Sequence, residues 1–449
     1  MRLADALRLR PPLAVALVGA GGKSGAMRRL VLELASEIPL IVTTTTKLGF
    51  QQSDLAPAHM IVERDVELED LGARLGEHGA VLVTGPLEAG GRKWLGLAGG
   101  QLARLRSTAL QSGAVLLIEA DGARQRSLKA PAAHEPAVPD FVDLVVPMAG
   151  IDAVGAHLSD AIVHRPELLV SLLGLASPGV ELSAQHIAEA LCSPNGGLKN
   201  VPAGSEARLL INKVEDAERL EIGGAIASRA LETDGVRAVV LAAVAEEDPV
   251  REVHGRVAGV VLAAGASTRL QRPKQLVRWR GKSLVWHALQ AARSGGLHPI
   301  VVVLGAGGEN MRRQLEGLEG EDVIFVDNPR WKQGQSSSVN AGLSAAADQA
   351  EAAIFLLADM PLVGADLVRG LVGHHRRTLA PIIAPRHEKR SANPVLFDRQ
   401  VFPSLLALHG DTGGRALFDR FPVEHLEWPH DVFLDVDTEE DLRRLEALE

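Results

Sequence analysis

The chain has 449 residues, a formal net charge of −9 and a single cysteine. This length allows two or three domains, and the scattered basic residues form no cluster of the kind that binds nucleic acid. Cys192 alone excludes an intramolecular disulfide, and no uncharged apolar run approaches the ~18 residues that span a bilayer. We therefore expect a cytoplasmic protein that binds neither nucleic acid nor membrane.

The N-terminal half predicts short apolar strands that alternate with amphipathic helices. Residues 26–37 and 102–111 have the helical pattern. Such alternation is typical of a parallel α/β sheet covered by helices. The predicted strands are residues 13–18, 40–43, 81–84, 115–119, 144–147, 209–211 and 239–242.

A glycine-rich loop, G-A-G-G-K-S, follows the first predicted strand and opens a helix, which is the context of a phosphate-binding loop. Lys23 would reach the terminal phosphates of a nucleotide and Ser24 a Mg²⁺ ion. Asp121, which ends another apolar strand, is a Walker-B-like acid. The alternative is a tight turn without a ligand. The predicted N-terminal phosphate loop thus comprises Gly19, Gly21, Gly22, Lys23, Ser24 and Asp121.

A second pattern in this half concerns base recognition. Asn212-Lys213-Val214-Glu215 is similar to the guanine-reading N-K-x-D, but Glu215 stands in the Asp position. A structural role and a base-reading role therefore both remain open.

A charged stretch that ends in Pro249 interrupts the α/β pattern, and we place the domain boundary near residues 245–256. The predicted domains are residues 1–250 and 257–449. Strands resume in the second half, which is a second α/β unit of the same broad class. Its predicted strands are residues 257–262, 300–304, 323–326, 354–358, 382–384 and 432–435.

The first strand of this second unit runs into a loop of small residues that suits a triphosphate. Its spacing matches neither a Walker loop nor G-x-G-x-x-G, but its backbone N–H groups suit phosphate oxygens. Arg269 is suited to fork two phosphate oxygens and Lys274 to act as a point charge. Both cations are alternatively ordinary solvated side chains. The predicted nucleotide-binding residues are Leu262, Ala263, Ala264, Gly265, Ser267, Arg269 and Lys274.

Carboxylates end two predicted strands of this unit. Asp359 follows a buried run, where a carboxylate is a natural Mg²⁺ ligand. The alternative for Asp359 is to cap the following helix. Of Asp435 and Asp437, which end the last predicted strand, we favour Asp435 as the second metal ligand and expect the other to cap a helix.

A series of motifs in the second half now becomes informative as a set. L-A-A-G-A-S-T-R is followed by N-P-R-W, G-Q-S-S-S, L-A-D-M-P, N-P-V-L-F, G-D-T-G-G-R and L-D-V-D-T-E-E-D-L. In this order they resemble the MobA-like nucleotidyltransferases, and most closely the molybdenum cofactor cytidylyltransferases. Leu270-Gln271 and Ala392 depart from the usual family pattern.

The resemblance implies a Rossmann-like, mostly parallel sheet and the transfer of CMP from CTP to molybdopterin, with Mg²⁺ as cofactor and pyrophosphate as product. Arg269, Lys274 and Asp359 would carry the catalysis. The residues on the acceptor side would be Asn393, Gly410, Asp411, Gly413 and Arg415, for which a plain turn is the alternative.

The choice of base depends on one methyl group. The guanylyl branch of the family has glycine where this chain has Ala264, and the extra methyl would crowd a purine more than a pyrimidine. CTP is therefore favoured. A guanylyltransferase, a sugar-phosphate nucleotidyltransferase and a non-catalytic chaperone of the molybdenum cofactor remain alternatives.

The first half carries its own set of motifs. G-A-G-G-K-S, T-T-T-T-K, E-A-D-G-A-R, L-K-A-P-x-x-H-E-P and H-R-P, over residues 13–244, are similar to the YqeC-type accessory proteins of selenium-dependent molybdenum hydroxylases. The resemblance implies a role in the maturation of a molybdenum hydroxylase, with its apoenzyme as partner, and leaves the chemistry of this half open.

Overall fold

The computed structural model describes residues 1–175, 177, 179–265, 270, 273–305, 308–315, 323–429 and 432–448. The chain divides into two compact units, Met1–His254 and Gly255–Glu449. Within the described ranges, no helix has both the length and the apolar character needed to cross a bilayer.

The N-terminal unit alternates strands and helices along the chain. Its strands are β1 (Leu13–Gly19), β2 (Leu40–Thr44), β3 (Leu48–Gly49), β4 (Ala58–Ile61), β5 (Ala80–Thr84), β6 (Lys93–Trp94), β7 (Val115–Glu119), β8 (Leu128–Lys129), β9 (Leu144–Gly150), β10 (Val163–His164), β11 (Glu206–Asn212), β12 (Val236–Ala242) and β13 (Val250–Gly255). Its α-helices are α1 (Leu3–Ala6), α2 (Lys23–Leu34), α3 (Leu71–His78), α4 (Gly99–Ser112), α5 (Pro166–Leu173), α6 (Ala184–Cys192) and α7 (Ala217–Ala230).

Nine of these strands form one sheet in the order β13-β12-β11-β9-β1-β7-β2-β5-β4. From β12 to β4 every neighbouring pair is parallel. The sheet is therefore covered on both faces, and its central strands are almost continuously apolar and buried, as parallel sheets require. The carboxyl ends of β1, β7 and β2 meet at one edge, where the glycine loop begins.

The C-terminal unit follows the same plan. Its strands are β14 (Val257–Ala263), β15 (Arg278–Trp279), β16 (Lys282–Ser283), β17 (Ile300–Leu304), β18 (Val323–Asp327), β19 (Ala352–Leu357), β20 (Ile382–His387), β21 (Arg390–Ser391), β22 (Val395–Asp398) and β23 (Val423–Glu427). Its α-helices are α8 (Leu284–Ser294), α9 (Gly308–Gln314), α10 (Gln335–Ala346), α11 (Ala365–Thr378), α12 (Phe402–Leu406) and α13 (Glu439–Glu446).

The main sheet of this unit has the order β18-β17-β14-β19-β22-β20, with β21 and β23 both paired to β20. Strands β18, β17, β14 and β19 are parallel, whereas β22 runs antiparallel to its two neighbours. Alternate residues of β14 belong to two different hydrophobic clusters, because successive side chains point to opposite faces. Both halves therefore confirm the predicted α/β class with two sheet units.

Several segments differ from the sequence-based expectation. The predicted strand at residues 432–435 is wrong: residues 432–437 have no regular secondary structure. A strand that we did not predict, β23, pairs instead with β20. Residues 250–255, which we interpreted as part of a connection, form the edge strand β13, so only Arg256 separates β13 from β14.

Candidate active site

The cleft of the C-terminal unit opens at the carboxyl edge of its sheet. Leu262 of β14 pairs with Leu357 of the parallel strand β19, so the chain leaves both strands on the same side. Ligands of open α/β sheets bind at this edge. The cleft has a volume of about 550 Å³. It is lined by Leu262, Ala264, Gly265, Lys274, Gln275, residues 331–335, Ser338, residues 357–359 and Asp411.

The beginning of the predicted nucleotide loop forms part of the cleft wall. Leu262, Ala264 and Gly265 line the cleft, whereas Ala263 is fully buried in the core behind it. The backbone at Gly305 approaches so closely that a Cβ atom there would lie 2.8 Å from Ala264 Cβ. The Ala264 methyl group is therefore held in place from behind.

The middle of this loop lies outside the described residues, and with it Ser267 and Arg269. Gly265 O accepts a hydrogen bond from Gln275 Nε2 at 2.8 Å. This contact ties the start of the loop to the segment that carries Lys274.

Asp359 lies at the end of β19, as the sequence predicts. One carboxylate oxygen, Oδ2, forms an ion pair with Lys274. The other, Oδ1, is buried and has no hydrogen-bond partner. Asp359 does not cap a helix, because α11 begins at Ala365 with Gly364 as its N-cap residue.

Lys274 lies between two carboxylates, since its Nζ also contacts Asp437 Oδ1 at 2.5 Å. Burial of Lys274 disfavours its charged form, but Asp359 and Asp437 favour that form more strongly, so the pKa of Lys274 is raised. Lys274 is thus a fixed cation at the floor of the cleft.

The segment before α13 brings further carboxylates to Asp359. Val436 N donates to Asp359 O at 3.0 Å. Thr438 caps α13 through the N–H of Asp441, so the expectation that Asp437 caps this helix is wrong. The carboxylate of Asp437 contacts Lys274 instead.

Asp435 is the second carboxylate that we favoured as a metal ligand. Its pKa is raised to about 6 by burial against the protein and by the like charges of Asp359 and Asp437. A divalent cation between Asp359 and Asp435 would relieve this repulsion.

The site fits a Mg²⁺ ion that the substrate helps to bind. Asp359 Oδ1 is a buried carboxylate oxygen without a partner, and Asp435 is a second carboxylate, near enough for the charge of Asp359 to raise its pKa. Among the described residues, no group of three or more His, Cys, Asp or Glu side chains could hold a metal ion. Mg²⁺ commonly uses one or two carboxylates and takes its other ligands from phosphates and water.

A second cavity of about 470 Å³ adjoins the cleft. The two share Leu262, Gln335, Leu357 and Asp411 as lining residues. Its wall combines apolar side chains of β19, β22 and α10 with polar groups. Four predicted acceptor residues line it, namely Asn393, Asp411, Gly413 and Arg415.

Gly410 supports this second cavity without lining it. Gly410 O accepts from Ser336 Oγ at 2.7 Å. Gly334 has a φ of +108°, and a Cβ atom at Gly334 would lie 2.5 Å from Asp411 N. The contact between the two loops therefore requires glycine at position 334.

Several lining residues had no role assigned from the sequence. Gln275, Trp331, Lys332, Gln335 and Ser338 all line the cleft. The signal was present in the G-Q-S-S-S motif, where serines at a helix start have no packing reason to be buried. The structure explains the burial of these serines by hydrogen bonds from Asn328 Nδ2 to Ser337 Oγ and Ser338 Oγ, at 2.9 and 3.0 Å.

The glycine loop of the N-terminal unit has the predicted strand–loop–helix form. Gly19, Gly21 and Gly22 all have positive φ, and α2 begins at Lys23. A Cβ atom at Gly21 would lie 2.2 Å from Gly150 N, so the loop passes tightly beside β9.

Lys23 points into the protein in this structure. Its Nζ contacts Gly19 O at 2.5 Å and Asp121 Oδ1 at 3.0 Å, and its side chain is 3% exposed. The prediction that Lys23 reaches a phosphate thus requires this ion pair to open. Both oxygens of Asp121 also accept from Gly19 N, and Oδ2 contacts Lys129 Nζ at 2.8 Å.

The contacts of Asn212 are structural. Its Nδ2 donates to Gly21 O at 2.7 Å, and its Oδ1 accepts from Val244 N at 3.0 Å. Lys213 is engaged by Asp152 at 2.7 Å. These contacts support the structural alternative, because the amide that would read a base instead clamps the glycine loop.

Glu119 lies at the same edge of the N-terminal sheet, at the end of β7. Burial raises the pKa of Glu119, an effect that Lys23 opposes. Its backbone O accepts from Thr45 N at 3.1 Å and from Thr44 Oγ1 at 3.0 Å. The threonine run therefore lies directly beside the backbone of Glu119.

The single cysteine has no role in either site. Cys192 is buried at the end of α6, and burial raises the pKa of its thiol. A buried thiol of raised pKa is unreactive, which indicates a packing role for Cys192.

Comparison with known proteins identifies two families along the chain. Residues 259–427 match the MobA-like NTP transferase domain, and residues 15–167 match the YqeC protein family. Nicotine blue oxidoreductase of Paenarthrobacter nicotinovorans is 33% identical over 200 residues, covering 42% of this chain and 96% of that protein. YqeC of Escherichia coli K12 is 36% identical over 104 residues, covering 23% of this chain and 40% of that protein.

A solved structure is also similar. Rv0371c from Mycobacterium tuberculosis H37Rv has 33% sequence identity and a TM-score of 0.38, covering 43% of this chain and 98% of that one.

The sheet, the cleft at its carboxyl edge and the matched domain define the C-terminal unit as a nucleotidyltransferase. The chain belongs to the MobA-like NTP transferase family, with a YqeC domain preceding the transferase domain.

Proposed function

We propose that the C-terminal unit transfers CMP from CTP to molybdopterin and releases pyrophosphate. An oxygen of the terminal phosphate of molybdopterin attacks the α-phosphorus of CTP. The new bond forms as the bond from that phosphorus to the pyrophosphate oxygen breaks, and pyrophosphate leaves with the electron pair. Positioning and neutralisation of charge provide most of the rate in such transfers.

The observation that carries this proposal is the Lys274–Asp359 pair in a cleft that adjoins a second cavity. Lys274 would neutralise charge on the triphosphate in the first cavity. The second cavity, with apolar walls and a few polar residues, suits a flat heterocycle such as a pterin. Shared residues such as Leu262 and Gln335 lie where the two substrates would meet.

A bound Mg²⁺ would stabilise the negative charge that develops on the phosphates. Asp359, through its buried unpartnered Oδ1, and Asp435 would hold the ion. Lys274 would then leave Asp359 for the triphosphate while keeping Asp437 as a partner.

The choice of CTP rests on Ala264. This residue lines the cleft, and the backbone at Gly305 supports it from behind. Its methyl group cannot retreat from a larger base, and the resulting crowding would disfavour GTP.

We further propose that the N-terminal unit binds a nucleoside triphosphate through residues 19–24 and serves the maturation of a molybdenum hydroxylase, with its apoenzyme as partner. The support is the YqeC match and the glycine loop at the start of α2. The N-terminus of a helix favours phosphate through its free N–H groups and its dipole.

Pyrophosphate release, measured with molybdopterin and each of CTP, GTP, ATP and UTP, tests the transferase proposal. We expect Mg²⁺-dependent release that is greatest with CTP. Preference for GTP would indicate a guanylyltransferase, and release only with a sugar phosphate would indicate a sugar-phosphate nucleotidyltransferase. Tight binding of molybdopterin without any release would indicate a chaperone.

The name of one relative points to redox chemistry. The lysine and carboxylates of the cleft instead match the charge pattern of a phosphate-bearing substrate, and this favours nucleotidyl transfer.

A further inference from the structure

Two oxygen atoms at the edge of the N-terminal sheet have no hydrogen-bond partner although they are buried. They are Glu119 Oε2, at the end of β7, and Thr45 Oγ1, directly after the parallel neighbour β2. The two residues are in contact, because Thr45 N donates to Glu119 O at 3.1 Å. A buried polar atom without a partner is unfavourable, so two of them in contacting residues indicate a missing ligand.

Asp121, the Walker-B-like acid of the sequence pattern, differs from Glu119 because both of its carboxylate oxygens have partners. Its two oxygens are engaged by Gly19 N, Lys23 Nζ and Lys129 Nζ. Its side chain is 1% exposed. Asp121 could bind a metal ion only by giving up these contacts.

The charges around Asp121 form a continuous network away from the glycine loop. Lys129 also contacts Glu135 Oε2 at 2.8 Å, and Glu135 accepts from Arg165 at 2.5 Å. These contacts outweigh burial and lower the pKa of Glu135 to about 2. Asp121 therefore belongs to a network of ion pairs that holds the ammonium group of Lys23.

Glu119 Oε1 is 4.0 Å from Lys23 Nζ, and Lys23 is the first residue of α2. Ser24, the residue after Lys23, accepts a hydrogen bond at its Oγ from Gln52 Nε2 at 2.5 Å. A carboxylate, two hydroxyls and a lysine beside a helix N-terminus are suited to Mg²⁺ that carries phosphate.

We propose that Glu119, with Thr45, is the metal-facing group of a Mg²⁺–phosphate site in the N-terminal unit, and that Asp121 instead anchors Lys23 and Lys129. This assignment rests on the proposed nucleotide binding by residues 19–24 and adds the residues that would hold the cation. It is independent of cytidylyl transfer in the C-terminal unit.

The test uses the full chain with the C-terminal site disabled by Lys274→Met and Asp359→Asn. Calorimetry measures ATP and GTP binding to this parent in Mg²⁺ and in EDTA. We expect Glu119→Gln, an isosteric change, to weaken binding about tenfold or more in Mg²⁺ and to leave binding in EDTA unchanged. Asp121→Asn should keep the parent's ratio of nucleotide affinity in Mg²⁺ to that in EDTA, because Asp121 does not contact Mg²⁺.

The reverse pattern, in which Asp121→Asn removes the Mg²⁺ effect and Glu119→Gln keeps it, overturns the assignment and leaves nucleotide binding intact. Failure of the parent to bind either nucleotide overturns the nucleotide proposal and the assignment together. If Glu119→Gln does not fold, Thr45→Val carries the test, since valine keeps the shape and removes the hydroxyl. An unchanged Mg²⁺ effect in Thr45→Val then refutes the site.

Discussion

Replacement of Asp359 by asparagine separates catalysis from stability in the C-terminal unit. Asparagine keeps the volume of the side chain, so no cavity forms at the end of β19. Lys274 retains its contact with Asp437 at 2.5 Å, so its charge is not left alone. The Lys274–Asp359 pair is mostly buried, but loss of the Asp359 charge also relieves its repulsion with Asp435, so we expect a cost in folding free energy that is smaller than the effect on catalysis.

The expected effect on catalysis is much larger. The variant loses a carboxylate oxygen, Oδ1, that has no other partner in this structure and would face the metal. Loss of one preorganised electrostatic contact costs about 3–4 kcal/mol in the transition state, which corresponds to a roughly 10²–10³-fold lower kcat.

The assay is pyrophosphate release from CTP with molybdopterin, with urea unfolding measured in parallel. The matched control is Asp366→Asn, an exposed aspartate on α11 that pairs only with Arg369 in the same helix among the contacts of the described residues. The control should keep its turnover. Turnover of Asp359→Asn within about threefold of the parent would refute the metal role of Asp359.

Four further predictions concern the same unit. Lys274→Met should lower kcat more than it raises KM in steady-state kinetics, because the cation acts on charge that develops in the transition state; an effect on KM alone would show ground-state binding only. Ala264→Gly should narrow the kcat/KM preference for CTP over GTP, and an unchanged preference would place base selection elsewhere. Asp435 has a pKa raised to about 6, so its carboxylate becomes protonated as the pH falls through 6. The Mg²⁺ affinity should therefore weaken below that pH, and Asp435→Asn should remove this pH dependence. Gly334→Ala should lower the free energy of unfolding by about 3 kcal/mol in urea titrations, because the φ of Gly334 is +108° and a Cβ atom there would strike the backbone at Asp411. The control Gly364→Ala, whose Cβ would meet nothing within 4 Å, should change the free energy of unfolding little.

The sequence predicts the core of the C-terminal site because parallel strands end at one edge. The runs before Ala264 and Asp359 are apolar, bounded and of strand length, so their carboxyl ends could be placed together without coordinates. Their register, with Leu262 opposite Leu357, follows from that arrangement.

The features of the site that the sequence did not predict depend on backbone without regular secondary structure. The partner of Lys274 is Asp437, 163 residues away, and their contact requires residues 432–437 to cross the sheet edge as an extended segment without a ladder. Alternating apolar residues in that segment predicted a strand. The cap of α13 was misassigned for a related reason, since several adjacent side chains compete for one N–H group.

The N-terminal loop shows a different limit. The glycine pattern locates Lys23 in the sequence, but it does not predict which acidic residue forms an ion pair with it. Asp121 was predicted as a Walker-B-like acid from its place at a strand end, whereas its ion pair with Lys129 is not visible in short-range sequence patterns. Glu119, two residues earlier, is the acid that has a buried carboxylate oxygen without a hydrogen-bond partner.

The most direct measurement of the central proposal follows the α-phosphate itself. CTP labelled at the α-phosphorus is incubated with the protein, Mg²⁺ and molybdopterin, and the products are separated and identified by mass. We expect the label in a CMP–molybdopterin product that forms in step with unlabelled pyrophosphate. Label that stays in CTP while α-labelled GTP yields the product, or no labelled product from either nucleotide, would contradict the proposal.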